Sequence, residues 1–335
     1  MRQATLLIAA VLAASALPAR ADTDNATFGG HGAFVRQVTP GLAKTGPLLD
    51  TGFSDAGPAY DTVMVNGEMP GGVDLAVCVR SSGGCDKVLP SKMKVYPNGR
   101  FWARFALPAP VSEPFKVLVY DEGSAAAGRL VLYGAEAFMA APGEAGKKDD
   151  AEVMAVPAAY TFPVVTRAEW NAAPPTQGYT AQTPVKFTLH HTAGKFTRTL
   201  EESKEEVLFD QDYHQNKNGW IDIGYHFIVD PMGNIFEGRP VTAQGAHVES
   251  YNAGNVGISV MGYYHEPVND QPTAAEIAAV AKIGQYLKAK YGVKAASFYA
   301  HRELNATACP GDLLYPKKQE IKDLIYTPKE EQEGR

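Results

Sequence analysis

A chain of 335 residues exceeds the usual span of one domain, which sets an expectation of two. Its 45% hydrophobic and 20% charged residues describe a globular protein rather than a disordered or fibrous one. A net charge of −6 leaves no basic footprint, so no nucleic-acid partner and no simple electrostatic docking on an anionic membrane are expected.

At the start of the chain, Arg2 supplies a positive region, Ala4 to Leu17 is nearly all apolar, and Ala19-Arg20-Ala21 has the small-x-small form of a signal-peptidase site. The apolar run is shorter than the ~20 residues a transmembrane helix needs, and no later stretch supplies a transmembrane segment. Residues 1–21 therefore read as a signal peptide on an exported chain, periplasmic or secreted, that begins near Asp22. No cysteine follows the apolar run, so no lipid anchor is expected there.

Residues 22–140 read as a small β-rich, sandwich-like domain. Short apolar runs at 62–65, 75–77, 101–105 and 115–120 are separated by Gly, Pro and Asn turn signals, and no long amphipathic helix interrupts them. Its role is open between a wall- or sugar-binding module and a structural appendage. The chain has three cysteines. Cys78 and Cys85 bracket a turn-forming stretch and are expected to form a disulfide in an oxidising compartment, which leaves Cys309 for another task. Residues 141–160 are small and polar and read as a linker.

From 161 to 328 the pattern alternates between strand and helix, as in an α/β domain with a mixed central sheet and flanking helices. Val185, Phe187 and Leu189 alternate with Lys186, Thr188 and His190, a period-two strand that ends on a histidine. Thr199 and Glu202 mark a helix start that leads toward His214. Residues 223–229 and 235–237 flank a hairpin turn, and 256–261 is a further strand. Thr273 and Glu276 cap a helix with one apolar stripe through Ile277, Val280, Ala281, Gly284, Leu287 and Tyr291, stopped at Gly292. Residues 329–335 form a charged tail.

Of eight histidines, seven lie after Lys186. His190 at a strand end, His301, and Cys309 eight residues later make a three-ligand set for zinc with a fourth position open, the catalytic rather than the structural arrangement. The same residues suit a Cys–His nucleophile pair, and spacing alone leaves both chemistries open. A cysteine peptidase predicts sensitivity to thiol reagents without sensitivity to chelators.

The local words are more specific. Thr166-Arg167-Ala168-Glu169-Trp170 is followed by Leu189-His190-His191-Thr192-Ala193, then by Gly219-Trp220-Ile221-Asp222-Ile223-Gly224-Tyr225-His226-Phe227. Glu237-Gly238-Arg239, Gly245-Ala246-His247, Tyr251-Asn252 and Val256-Gly257-Ile258 come next, and Ala300-His301-Arg302-Glu303 and Thr307-Ala308-Cys309-Pro310-Gly311 close the series. In this order, from about Val165 to Leu324, the chain resembles the type 2 N-acetylmuramoyl-L-alanine amidases, and within them the peptidoglycan recognition proteins and short phage amidases. The first half of the chain carries no such resemblance.

The resemblance implies Zn2+ held by His190, His301 and Cys309, with Tyr225 and Thr307 as catalytic helpers. It implies cleavage of the amide between N-acetylmuramic acid and L-alanine in peptidoglycan or muropeptides, by a water made nucleophilic near neutral pH. Recognition-only relatives lack a ligand, most often the cysteine, and here all three stand; a non-catalytic peptidoglycan-binding protein is the alternative. Phage amidases carry lysine at the place of Thr307, and anhydromuropeptide amidases use a glutamate in the strand that here reads Gly257 to Met261, where none stands. His191, Trp220, Arg239, His247, Tyr251 and Asn252 are expected to line the substrate groove. Gly219-Trp220 with Arg239 resembles relatives that take meso-diaminopimelate stems, whose extra carboxylate a guanidinium can grip bidentately.

Overall fold

The structure, a computed structural model, describes residues 26–39, 46–123, 126–139, 160–217 and 219–327. The expected leader at 1–21, residues 141–159 of the expected linker, and the tail at 329–335 lie outside the described residues. Tyr160, expected as the last linker position, instead packs its ring against Phe227 and Tyr286, at 5.4 and 5.5 Å between centroids. A half-buried aromatic at this place belongs to the core of the second half.

Residues 26–139 form β1 (Phe34–Val38), β2 (Leu49–Asp50), β3 (Tyr60–Glu68), β4 (Val73–Ser81), β5 (Gly84–Val88), β6 (Lys92–Val95), β7 (Arg100–Val111), β8 (Phe115–Asp121) and β9 (Gly128–Phe138). They pair antiparallel in two sheets, ordered β1-β9-β3-β7-β6 and β2-β8-β4-β5. Val63, Val65, Phe101 and Leu130 of the first sheet share one core with Leu75, Val77, Phe115 and Val117 of the second. The period-two rule sends Met64 and Trp102 to the opposite face, where they meet Tyr96 and Phe209. The first sheet is thus covered on both sides. A disulfide joins Cys78 to Cys85, whose Cα atoms are 5.5 Å apart, across the β4–β5 hairpin.

The second half comprises β10 (Lys186–His191), α1 (Leu200–Lys217), β11 (Phe227–Val229), β12 (Ile235–Glu237), β13 (Asn255–Val260), α2 (Ala274–Tyr291), β14 (Phe298–Ala300) and α3 (Lys317–Tyr326). Its sheet is mixed, ordered β12-β11-β13-β10-β14, with β10 parallel to both β13 and β14 and only β11–β12 antiparallel. Phe187, Leu189, Ile258 and Val260 face α2, whose Val280, Ile283 and Leu287 complete the main core with Ile321 and Ile325 of α3. Ile228, Phe236 and Met261 face the other way, onto Val207 of α1, Trp170 and Ile223.

Two expectations change in detail. The strand expected over 223–229 begins only at Phe227, because the preceding backbone serves other partners: Gly224 N donates to His214 Nδ1, and the Ile223 carbonyl accepts from Arg239. The in–out alternation expected for β10 is replaced by burial of every residue from Phe187 to His191, since the strand is central and both sheet faces are covered. The α2 boundaries follow their signals: Thr273 and Glu276 form the reciprocal cap and Gly292 adopts the left-handed conformation at the other end.

At Gly284, α2 and α3 approach so closely that an added Cβ would overlap the end of Ile325 and meet Phe187 Cζ at 3.4 Å. Gly284→Val is expected to cost about 2 kcal/mol, overpacking outweighing the helix-propensity gain over glycine. Urea unfolding of the variant measures it, and Ile325→Ala on top of it should recover part of the loss; additive losses would place the strain elsewhere.

Candidate metal centre

The two sheet faces explain how the ligand cluster assembles. His190 and His191 end the central strand on opposite faces, and Leu189 pairs with Ala300, which brings the residue after β14, His301, beside His190. Their rings lie 4.6 Å apart. The 301–309 segment then folds back on itself: Arg302 N donates to the Cys309 carbonyl at 3.0 Å, and its guanidinium reaches the carbonyls of Ala308 and Cys309 and the Asp312 carboxylate. Cys309 is buried and reduced, with Sγ 3.6 Å from His190 Nδ1.

One donor atom from each of His190, His301 and Cys309 lies within 4.8 Å of the others. In a tetrahedral site with bonds of about 2.0–2.3 Å, neighbouring donors sit about 3.5 Å apart. The cluster therefore needs little adjustment to hold an ion, and a donor set of two imidazole nitrogens and one thiolate sulfur suits zinc. The His191 amide donates to the Cys309 sulfur at 3.4 Å, a bond that favours the thiolate a metal requires.

The hydrogen bonds around His190 fix which nitrogen faces the cluster. His190 Nε2 is 3.0 Å from His247 Nδ1, and His247 Nε2 is 3.1 Å from the Asn255 carbonyl. A carbonyl only accepts, so His247 carries its proton on Nε2 and accepts at Nδ1, and His190 donates from Nε2. The lone pair of His190 is thereby directed from Nδ1 toward Cys309 and His301. Burial, aided by the neighbouring histidine rings, holds His190 and His247 well below the usual imidazole range, so both are neutral at neutral pH. Gly257 makes room for the relay, since a Cβ there would lie 2.7 to 2.9 Å from the His247 ring.

Tyr225 borders the cluster, its ring 5.4 Å from that of His190. Thr307 Oγ accepts from the Cys309 amide at 3.1 Å, which sets its hydroxyl two residues from the sulfur. Trp220 stacks at 4.8 Å on His214, which in turn lies 5.5 Å from Tyr225, so an aromatic row runs outward from His190 along one flank. His214 sits on α1 with no spacing signal to single it out in the sequence.

The other expected groove residues sit differently. His247 is a buried buttress of His190, not a residue on a substrate surface. His191 turns to the α2 face, against Tyr263, Tyr264 and His265. Asn252 spends its side-chain carbonyl on the amides of His247 and Val248, shaping the loop that carries the relay. Tyr251 is exposed, 5.8 Å from the Lys186 ammonium at the end of β10 remote from His190. Arg239 is 4% exposed and donates to the carbonyls of Ile223, Gln244 and Asp222. The bidentate grip expected of it is replaced by a clamp on three backbone segments.

His226 is a second histidine whose role the spacing did not reveal. It is fully buried, accepts from Gly257 N at Nδ1 and donates from Nε2 to the Ala243 carbonyl. Burial lowers its pKa from 6.5 to about 4. The unfolded chain therefore takes up a proton below pH 6.5 that the folded chain refuses until about pH 4, so acid removes about 3 kcal/mol of stability across that window. His226→Gln should lose less stability than the parent between pH 7 and 4.5, as read by urea unfolding at each pH. Comparison of the two proteins isolates this residue from His190, His191 and His247, which shift in the same direction. Parallel losses would exclude His226 as a contributor.

A family profile described as N-acetylmuramoyl-L-alanine amidase matches residues 180–312. Peptidoglycan-recognition protein SC2 of Drosophila simulans is 30% identical over 153 residues, covering 45% of this chain and 82% of that protein. Peptidoglycan recognition protein 1 of Mus musculus is 30% identical over 157 residues, covering 45% of this chain and 84% of its own. Among solved structures, Drosophila peptidoglycan recognition protein SD aligns over 47% of this chain and 94% of its own at 28% identity, with a TM-score of 0.44. With its central mixed sheet and the ordered motifs that converge on His190, the chain belongs to the family of peptidoglycan recognition proteins and type 2 N-acetylmuramoyl-L-alanine amidases.

Proposed function

We propose that this protein is a zinc-dependent N-acetylmuramoyl-L-alanine amidase that releases stem peptides from peptidoglycan or muropeptides. The observation that carries the reading is the convergence of His190, His301 and Cys309 with a pre-set His190 lone pair. A peptidoglycan-binding protein without activity has no use for three complete ligands, nor for a relay that fixes one of them.

A zinc ion in this cluster supplies the Lewis acidity that makes water nucleophilic near neutral pH and polarises the scissile carbonyl. The protein's own part is positional. His247 and Asn255 hold the ligand tautomer, the His191 amide supports the thiolate, and Arg302 closes the 301–309 segment. Tyr225 and Thr307 stand at the edge of the cluster as hydrogen-bonding groups for the tetrahedral oxyanion of amide hydrolysis. The organisation in this reading is a leader at 1–21, a β-rich domain at 22–140, a linker that ends before Tyr160, and an amidase domain to about 328. The leader and the Cys78–Cys85 disulfide support an exported, periplasmic or secreted protein. Among the described residues no helix is long and apolar enough to cross a membrane.

Purified mature protein is expected to hold about one zinc per chain. It should release peptides beginning with L-alanine from peptidoglycan, read by mass spectrometry. Chelation should abolish the release, and Cys309→Ser should lose most of the metal and at least about a hundredfold in rate. Full activity in a metal-free sample would remove the proposal. Binding of peptidoglycan without release would establish the non-catalytic alternative.

The proposed stem preference is for meso-diaminopimelate, on the resemblance of the Gly219-Trp220 and Arg239 words. Since Arg239 clamps Asp222, Ile223 and Gln244, its own part is to hold the segment that leads to Tyr225 rather than to select the stem. Arg239→Ala is accordingly expected to slow cleavage of diaminopimelate and lysine stems by similar factors. Rates on matched muropeptides measure this; a selective loss on diaminopimelate stems would restore a direct grip.

A further inference from the structure

The first β-sheet carries a buried charge at the end of β7 that neither its own core nor the proposed reaction explains. Arg100 is 2% exposed, and its guanidinium is sandwiched between Tyr133 of β9 and Phe209 of α1, at 4.7 and 3.8 Å from the ring centroids. Its Nε donates to Glu206 of α1 at 3.0 Å and its Nη1 to the Gly67 carbonyl at 3.1 Å. The second oxygen of Glu206 accepts from the Lys195 amide at 3.1 Å. One carboxylate thus ties the first sheet, α1 and the loop that leaves β10.

That loop begins immediately after His190 and His191. Ala193 has φ of 50° and an added Cβ on Gly194 would lie 2.6 Å from Glu206, so the backbone is drawn tightly against the ion pair. Lys195 reaches back with its ammonium to Glu68 of β3 at 3.0 Å and to the Asn98 carbonyl at 2.7 Å. Along α1 the same sheet grips again: Asp212 accepts from Tyr96, from Trp102 Nε1 at 2.9 Å and from Lys94 Nζ at 3.0 Å. Two residues on, His214 meets Tyr225 and Trp220 on the metal side.

We propose that the first β-sheet is a fixed seat for the metal centre, with Arg100, acting through Glu206, and Lys195, acting through Glu68 and the Asn98 carbonyl, as positioning residues for the 192–197 loop and α1. The sheet bounds the site from both ends, at the exit of the strand that carries His190 and at the helix that carries His214. This favours a structural part of the active site over a tethered binding module: undocking the sheet from α1 would break the Arg100–Glu206 pair and expose the apolar cluster of Met64, Tyr96, Trp102 and Phe209 to water. The functional arm rests on the amidase reading; the geometric arm does not.

The test uses the full mature chain with Lys195→Met and Arg100→Gln. The former leaves the buried pair intact and keeps the protein foldable. Backbone hydrogen exchange over 192–197 should accelerate about tenfold or more in both. Zinc affinity, titrated with Zn2+ against a competing chelator, should weaken about tenfold, and kcat should fall by a similar factor with KM little changed. Arg100→Lys, which keeps the charge, should recover part of each effect. Unchanged loop exchange and zinc affinity in both variants, with only a lower unfolding midpoint, would overturn the proposal. If the parent protein cleaves nothing, the amidase reading fails, and the exchange and zinc arms still decide whether the sheet positions the site.

Discussion

Much of this molecule depends on the placement of β10 between two parallel neighbours. A strand hydrogen-bonded on both edges and covered on both faces has no freedom to slip, because a shift by one residue would exchange His190 with Leu189 or His191 between the faces. The register with β14 then places His301, and the 301–309 segment, closed on itself by Arg302, returns Cys309 to the same spot. The ligand cluster is a consequence of sheet register more than of any local motif. That is why residues over a hundred positions apart in sequence meet within hydrogen-bonding distance.

A site built in so dry a place needs its histidines neutral and oriented, and the same burial provides both. Desolvation lowers the proton affinity of His190, His247 and His226, and each ring then has one donor and one acceptor nitrogen to satisfy. Carbonyls at Asn255 and Ala243 accept hydrogen bonds from the Nε2–H groups of His247 and His226, and the Gly257 amide donates to Nδ1 of His226. The tautomers follow from these partners. What is left over at the end of the chain of hydrogen bonds is a lone pair on His190 Nδ1, directed toward Cys309.

The sequence made the cluster of His190, His301 and Cys309, the α2 caps and most strand centres legible, because each leaves a local mark: a motif, a cap or an apolar run. It did not reveal that His247 buttresses His190, since that contact joins residues far apart in sequence and leaves no local mark. The backbone partners of Arg239 are hidden for a related reason. A guanidinium in a family word suggests a carboxylate partner, but three carbonyls contributed by loops elsewhere in the chain can engage the same donors. The roles of His214 and His226 left no local mark, because the rings that His214 meets and the backbone groups that His226 bonds come together only in the fold.

Helix α1 shows how the two halves constrain each other. An amphipathic helix on a single core carries one apolar stripe and a solvated back. In α1, Val207 faces the central sheet, while Glu206, Phe209, Asp212 and Tyr213 meet the first β-sheet. The second set is rich in charge, yet Glu206 is fully buried. Phe209 and Tyr213 are a poor match for a helix that faces water on its far side, and the burial that covers them requires Arg100 beside Glu206 to avoid an uncompensated carboxylate. The polar residues of α1 are therefore matched to residues of the first sheet, and the helix that borders the His190–His301–Cys309 cluster owes its placement to both halves of the chain.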